Sequence, residues 1–152
     1  MIKYLVMDVD GTLTDGKIYM SNDGEGMKAF SIKDGCGIHD ILIPAGIIPV
    51  IITGRTSKIV EKRCGEIGIK EIHQGISNKI EKLLSITSNL SEVAYIGDDI
   101  NDLSCMKPVR EAGGKIGCPA DAVKKVKELA DFISTKNGGD GAVREFIEWL
   151  VG

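Results

Sequence analysis

Three short apolar runs set the limits on what this chain can become: Tyr4-Leu5-Val6-Met7, Ile47-Ile48-Pro49-Val50-Ile51-Ile52 and Val93-Ala94-Tyr95-Ile96. None alternates apolar with polar residues, so each reads as a strand buried on both faces, as in parallel sheets. Parallel neighbours need crossover connections, and helical patterns between the runs supply them. One places Ile38, Ile41 and Leu42 on one face and ends at Pro44 and Gly46. A second carries Ile59, Val60, Arg63, Cys64 and Ile67 and closes at Gly68. A third, capped by Ser77 or Asn78, turns Ile80, Leu83 and Leu84 inward. Residues 69–73 read as a shorter strand. Beyond the third run the spacing predicts a helix with Ile100, Leu103 and Met106, ended by Pro108. A brief strand at 113–117, a helix at 121–129 and a short strand at Phe132-Ile133 follow. Gly138-Gly139-Asp140-Gly141 then opens a last amphipathic helix with Val143, Phe146, Ile147 and Leu150. The β–α alternation predicts one doubly wound α/β domain over residues 1–152, with a mostly parallel sheet.

The exception to the alternation lies early. Two β-prone runs flank Ser21-Asn22-Asp23-Gly24-Glu25-Gly26, which predicts a β-hairpin flap over about residues 16–32. Apolar groups fall on both of its faces, so it packs on its own domain or on a neighbouring copy. Lys33-Asp34-Gly35-Cys36-Gly37 reads as a polar, flexible bend leading into the first helix.

Composition narrows the function. A net charge of −3 with no basic block argues against nucleic acid as a partner, and 5% aromatic content argues against base stacking. No apolar run is long enough to cross a membrane. Cys36, Cys64, Cys105 and Cys118 lack C-x-x-C spacing and read as reduced thiols of a cytoplasmic protein.

The three runs end in polar signatures: Asp8-Val9-Asp10-Gly11-Thr12, Thr53-Gly54-Arg55 and Gly97-Asp98-Asp99. In a parallel sheet those ends share one edge, where open α/β sheets take their ligands. An acidic turn would account for one Asp and the Gly of the first signature, but not for matching partners on two other strands. Converging carboxylates repel unless a cation sits among them, and all-oxygen ligands favour Mg2+. With the metal present, Lys79, the Thr53 hydroxyl and backbone amides make the pocket suited to a phosphate group.

These signatures, in this order with Lys79 and Asp102, resemble the four motifs of the haloacid dehalogenase superfamily. The resemblance gives Asp8 the role of nucleophile through an aspartyl-phosphate and Asp10 that of general acid and base. It assigns Mg2+ to Asp8, the Asp10 backbone carbonyl and Asp98, with Asp99 and Asp102 in support. The stretch between the first motif and the second strand is too short for the large cap domain of most members, and a hairpin flap fits in its place. Asp15-Gly16, Ile18-Tyr19-Met20, Lys28-Ala29-Phe30, Gln74-Gly75 and the Gly138–Glu145 tail are similar to the capless 3-deoxy-D-manno-octulosonate 8-phosphate phosphatases. That likeness implies hydrolysis of a small sugar phosphate by a homotetramer. It further implies a substrate site made by Asp10, Ser31, Ile32, Lys33, Asp34, Gly35, Thr53, Gly54, Arg55, Arg63 and Lys79. His39 departs from the pattern, and a nine-carbon, sialic-acid-type 9-phosphate is the alternative substrate. A phospho-receiver domain is a distant alternative, since the middle strand here ends in Thr53 rather than an acceptor Asp.

Overall fold

The computed structural model describes all 152 residues. Its elements in chain order are β1 (Tyr4–Met7), β2 (Tyr19–Ser21), β3 (Gly24–Met27), α1 (Ile32–Cys36), β4 (Ile48–Ile52), α2 (Lys58–Glu66), β5 (Glu71–His73), α3 (Lys79–Ile86), β6 (Val93–Ile96), α4 (Leu103–Glu111), β7 (Lys115–Cys118), α5 (Lys124–Leu129), β8 (Phe132–Ile133) and α6 (Ala142–Val151). Helix α1 runs on without a break into a wider π-type turn, Gly37–Leu42. Six strands form one sheet in the order β5-β4-β1-β6-β7-β8, and every pairing in it is parallel.

The apolar runs divide their side chains between two cores. Leu5, Met7, Ile51, Ala94 and Ile96 face the π-type turn, α2 and α6, where they meet Ile38, Leu42, Val60, Val143, Phe146 and Ile147. Val6, Val50, Ile52, Val93 and Tyr95 face α3, α4 and α5, where they meet Leu83, Met106, Val109 and Val126. Period-two alternation within a run that is apolar throughout is what places helices on both faces. Chain order reverses beside β1: β4 and β5 build outward on one side, β6, β7 and β8 on the other. The carboxyl ends of β1, β4 and β6 are therefore adjacent at the switch point.

Four expectations need correction. Leu84, expected to turn inward with Ile80 and Leu83, is 49% exposed on α3. The hairpin strands are only Tyr19–Ser21 and Gly24–Met27, tighter than residues 16–32. Phe30 leaves them to bridge Thr14, and the Ser31 hydroxyl caps α1 by accepting from the Lys33 N–H at 3.2 Å. What reads as a flexible bend at 33–37 is therefore helix from Ile32 onward. Pro108 does not end α4 but lies inside it. Its ring removes one backbone donor, and burial of Cys105, Met106 and Val109 carries the helix past that loss.

Candidate active site

Asp8 leaves the end of β1 4% exposed, its Oδ1 accepting from the Val9 N–H at 2.8 Å. The chain then wraps on itself: the Val9 carbonyl accepts from the N–H groups of Thr12, Leu13 and Thr14. That tight wrap needs Gly11 at φ 83°, in the left-handed region. A side chain on Gly11 would also strike the Asp98 carboxylate, which lies directly over it. The Thr12 hydroxyl reaches Asp98 Oδ1 at 3.4 Å. The Gly-rich segment near the C-terminus is part of this loop's support. Gly138 abuts the Gly11 carbonyl with no room for a Cβ, and the Gly139 N–H donates to the Thr12 carbonyl at 3.0 Å.

Asp102 organises the β6 side. Fully buried, it accepts from the Asp98 and Asp99 N–H groups on Oδ2, at 3.1 and 3.3 Å. On Oδ1 it accepts from the Tyr95 hydroxyl at 2.7 Å and from Lys79 Nζ at 3.0 Å. Lys79, 3% exposed at the start of α3, also lies 3.3 Å from Asp8 Oδ1. Burial works against the Lys79 charge, but the carboxylates of Asp102 and Asp8 outweigh it and raise its pKa.

A cavity of about 170 Å³ opens at this edge, lined by Asp8, Asp10, Thr53, Gly54, Arg55, Asp98, Asp99 and Asn101, none of them apolar. Burial, then the charge of Asp102, pushes the Asp8 carboxyl up from 3.8 to about 6 despite Lys79. Burial, then the charges of Asp8, Asp102 and Asp99, pushes Asp98 up to about 7. Carboxylate oxygens of Asp8, Asp98 and Asp102 lie within 4.8 Å of one another. Asp102 is already saturated by four donors, so it serves as an anchor and not as a metal ligand. Asp8 and Asp98 keep free oxygens beside the cavity and are short of positive charge, and that donor set fits a hard divalent cation.

Of the residues expected at the site, Asp8, Asp10, Thr53, Gly54, Arg55, Lys79 and Asp98 come together here. Within one chain the others do not. Ser31, Ile32 and Lys33 line a separate cavity of about 350 Å³ with Lys136 and Arg144. Asp34 is 1% exposed and turned away: its Oδ1 accepts from the Arg144 N–H at 3.0 Å at the start of α6, and burial raises it to about 6. Gly35 lies flat against the Arg63 guanidinium, and Arg63 lines a groove with Met27, Lys28 and Phe30.

Four contributors escape sequence reading. Asn101 lines the cavity. Tyr95 sits in an apolar run, where only the rule that a buried hydroxyl needs a partner points to a polar role. Lys28 and Glu25 come from the hairpin: Lys28 Nζ is 2.6 Å from Asp10 Oδ1 and 3.1 Å from Glu25 Oε2, and Arg55 Nη2 is 3.6 Å from the same Glu25 oxygen.

No family model matches the chain. Over 154 aligned residues it is 43% identical to 3-deoxy-D-manno-octulosonate 8-phosphate phosphatase KdsC of Escherichia coli K12, covering 99% of this chain and 79% of that protein. Among solved structures it is similar to the 3-deoxy-D-manno-octulosonate 8-phosphate phosphatase of Moraxella catarrhalis in complex with magnesium, phosphate and KDO. There the identity is 43% and the TM-score 0.89, over 98% of this chain and 85% of the other. It is also similar to a structure from Legionella pneumophila named as a HAD superfamily (subfamily III A) hydrolase, at 36% identity and TM-score 0.86, over 97% and 80% of the two chains.

Proposed function

The chain belongs to the family of 3-deoxy-D-manno-octulosonate 8-phosphate phosphatases within the haloacid dehalogenase superfamily, and from that premise we propose that it hydrolyses this sugar phosphate to the free sugar acid and phosphate. The observation that carries the reading is the convergence of Asp8, Asp98 and Thr53 from three strand ends on one wholly polar cavity.

Asp8 attacks phosphorus and takes the phosphoryl group as an aspartyl-phosphate, which divides one difficult displacement into two easier ones. Lys79 and the Val9 N–H hold Asp8 Oδ1, which leaves Oδ2 for attack. Asp10, across the cavity, protonates the departing sugar oxygen and later takes a proton from the water that releases phosphate. Thr53, at the end of β4, donates its hydroxyl to a phosphoryl oxygen. Asp8, the Asp10 backbone carbonyl and Asp98 would hold Mg2+, with Asp99 beside them and Asp102 bracing them from behind. When bound, Mg2+ shields the phosphate charge from the carboxylates.

A phosphate-release screen over sugar phosphates tests this reading. The eight-carbon ulosonate 8-phosphate should be preferred with Mg2+ and inert with EDTA. Preference for a nine-carbon 9-phosphate would overturn the substrate, and turnover in EDTA would overturn the metal. The metal also has a signature apart from activity. Because Asp8 and Asp98 are raised to about 6 and 7, the metal-free fold loses stability as pH rises from about 4 through 7. Added Mg2+ should therefore raise Tm more at pH 8 than at pH 5.

Selectivity falls to Arg55, half-exposed at the cavity rim. A guanidinium can grip a carboxylate through two parallel hydrogen bonds, which Lys cannot do. Charge-assisted bonds contribute about 1.5–3 kcal/mol, so Arg55→Ala should cost roughly tenfold or more in kcat/KM on the ulosonate. Its loss on phosphates without a carboxylate should be much smaller. Equal losses on both would move Arg55 to the phosphate.

Ile18, Met20, Met27 and Ile32 are exposed on and around the hairpin, Ile32 at 84%. That apolar surface supports a homotetramer in which Ser31, Ile32 and Lys33 serve a neighbouring copy's cavity. The four free thiols accord with a reaction in the reducing cytoplasm.

A further inference from the structure

We propose that Lys28 is a positioning residue for Asp10, so that the hairpin is part of the reaction machinery and not only a cover. Lys28 directly follows β3 on a surface hairpin, yet its side chain is 1% exposed. A buried ammonium must be paired, and its partners are Asp10 Oδ1 at 2.6 Å and Glu25 Oε2 at 3.1 Å. Asp10 is less constrained than Asp8, the carboxylate it works beside. Its side chain is 31% exposed, against 6% for Asp8. Lys28 is its one ion-pair partner, and Oδ2 has none.

The pair therefore does two things to Asp10. A short charge-assisted bond fixes the rotation of the carboxyl group. By occupying Oδ1 it also leaves Oδ2 as the oxygen that meets the leaving group. Glu25 extends the chain of contacts to Arg55 at 3.6 Å, so one hairpin residue couples the acid side of the cavity to the selectivity side. Misplacement of a reacting group by about 1 Å can cost on the order of 100-fold, so holding Asp10 in one orientation is worth a dedicated residue.

The inference rests on the reading of Asp10 as general acid, and the experiment separates the two. Turnover of a sugar phosphate without a carboxylate, whose leaving alkoxide needs a proton and which gives Arg55 nothing to grip, is compared with that of an aryl phosphate, whose leaving group needs none. In Lys28→Met, kcat on the sugar phosphate should fall about tenfold or more beyond the fall on the aryl phosphate, with KM little changed. Lys28→Arg should recover part of the loss. In an Asp10→Asn background, adding Lys28→Met should cost nothing further, as expected when one residue acts through the other. A uniform loss on both substrates, or a full added loss on top of Asp10→Asn, would overturn the role of Lys28 while leaving Asp10 as the acid. If Asp10→Asn itself shows no leaving-group dependence, both fall. Glu25→Gln, which leaves the Lys28–Asp10 contact in place, gives a second route should Lys28→Met unfold: it should loosen Lys28 and show the same leaving-group dependence in weaker form, and uniform loss there counts against the role as well.

Discussion

Asp8→Asn should abolish phosphate release on every substrate and leave the metal-free protein at least as stable as the wild type at pH 8. On the proposed covalent mechanism the loss should be on the order of 10⁴-fold or more, since an amide oxygen cannot serve as the nucleophile. The stability half of the expectation comes from electrostatics. Burial and Asp102 raise Asp8 from 3.8 to about 6, so the folded state holds a proton there more tightly than the unfolded chain does. Folding stability then declines as pH rises from about 4 to about 6, and stays reduced above that. Asn has the same shape and can still accept from the Val9 N–H, as Asp8 does at 2.8 Å, but it carries no charge to penalise. Lys79 keeps Asp102 at 3.0 Å. Thermal unfolding of both proteins without divalent ions at pH 5 and pH 8 checks the sign: the wild type should lose more Tm between them. Turnover of the sugar phosphate close to that of the wild type would remove Asp8 from the covalent role. A variant less stable at pH 8 would show that Asp8 acts there as a structural anion.

The site's frame could be read from sequence because strand ends carry it. Once Tyr4–Met7, Ile48–Ile52 and Val93–Ile96 are taken as parallel neighbours, Asp8, Thr53 and Asp98 must share an edge. What could not be read depends on how separate segments pack. Lys28 reaches Asp10 only because the hairpin folds back over the first loop, and no local pattern encodes that docking. Gly35 and Gly37 look like a flexible bend, yet each serves close approach. Arg63 packs on the first, while Arg144 and Ile147 of α6 pack on the second, and the helix that results turns Asp34 to α6. Gly138 gave no sign of its purpose either, since its partner, the Gly11 carbonyl, is remote in sequence. The carboxylates of the last motif look alike in sequence, but depth divides their work. Asp98 faces the cavity, whereas Asp102 is fully buried behind it.

That division makes Asp102 the residue whose truncation should damage the fold most. Asp102→Ala leaves Lys79 without its nearer partner, the Tyr95 hydroxyl without an acceptor, and the Asp98 and Asp99 N–H groups unpaired. Breaking a buried ion pair by removing one partner costs about 3–5 kcal/mol, because a charge is left uncompensated. For a chain of this size each kcal/mol lowers Tm by about 2–4 °C, so a fall of roughly 10 °C is expected. Asp102→Asn should fall between the variant and the wild type. Its carbonyl oxygen can still accept from Lys79 and Tyr95, but its amide nitrogen cannot accept from the two backbone N–H groups. Activity should drop in both, since the loop that presents Asp98 hangs from those two bonds, at 3.1 and 3.3 Å. Calorimetry with and without Mg2+ distinguishes an anchor from a ligand. An anchor lowers Tm in both conditions, whereas a ligand lowers only the increment that Mg2+ adds. An unchanged metal-free Tm in Asp102→Ala would show that the four bonds to Asp102 do not hold this edge of the sheet together, and that Asp102 belongs with Asp8 and Asp98 among the proposed ligands of the cation.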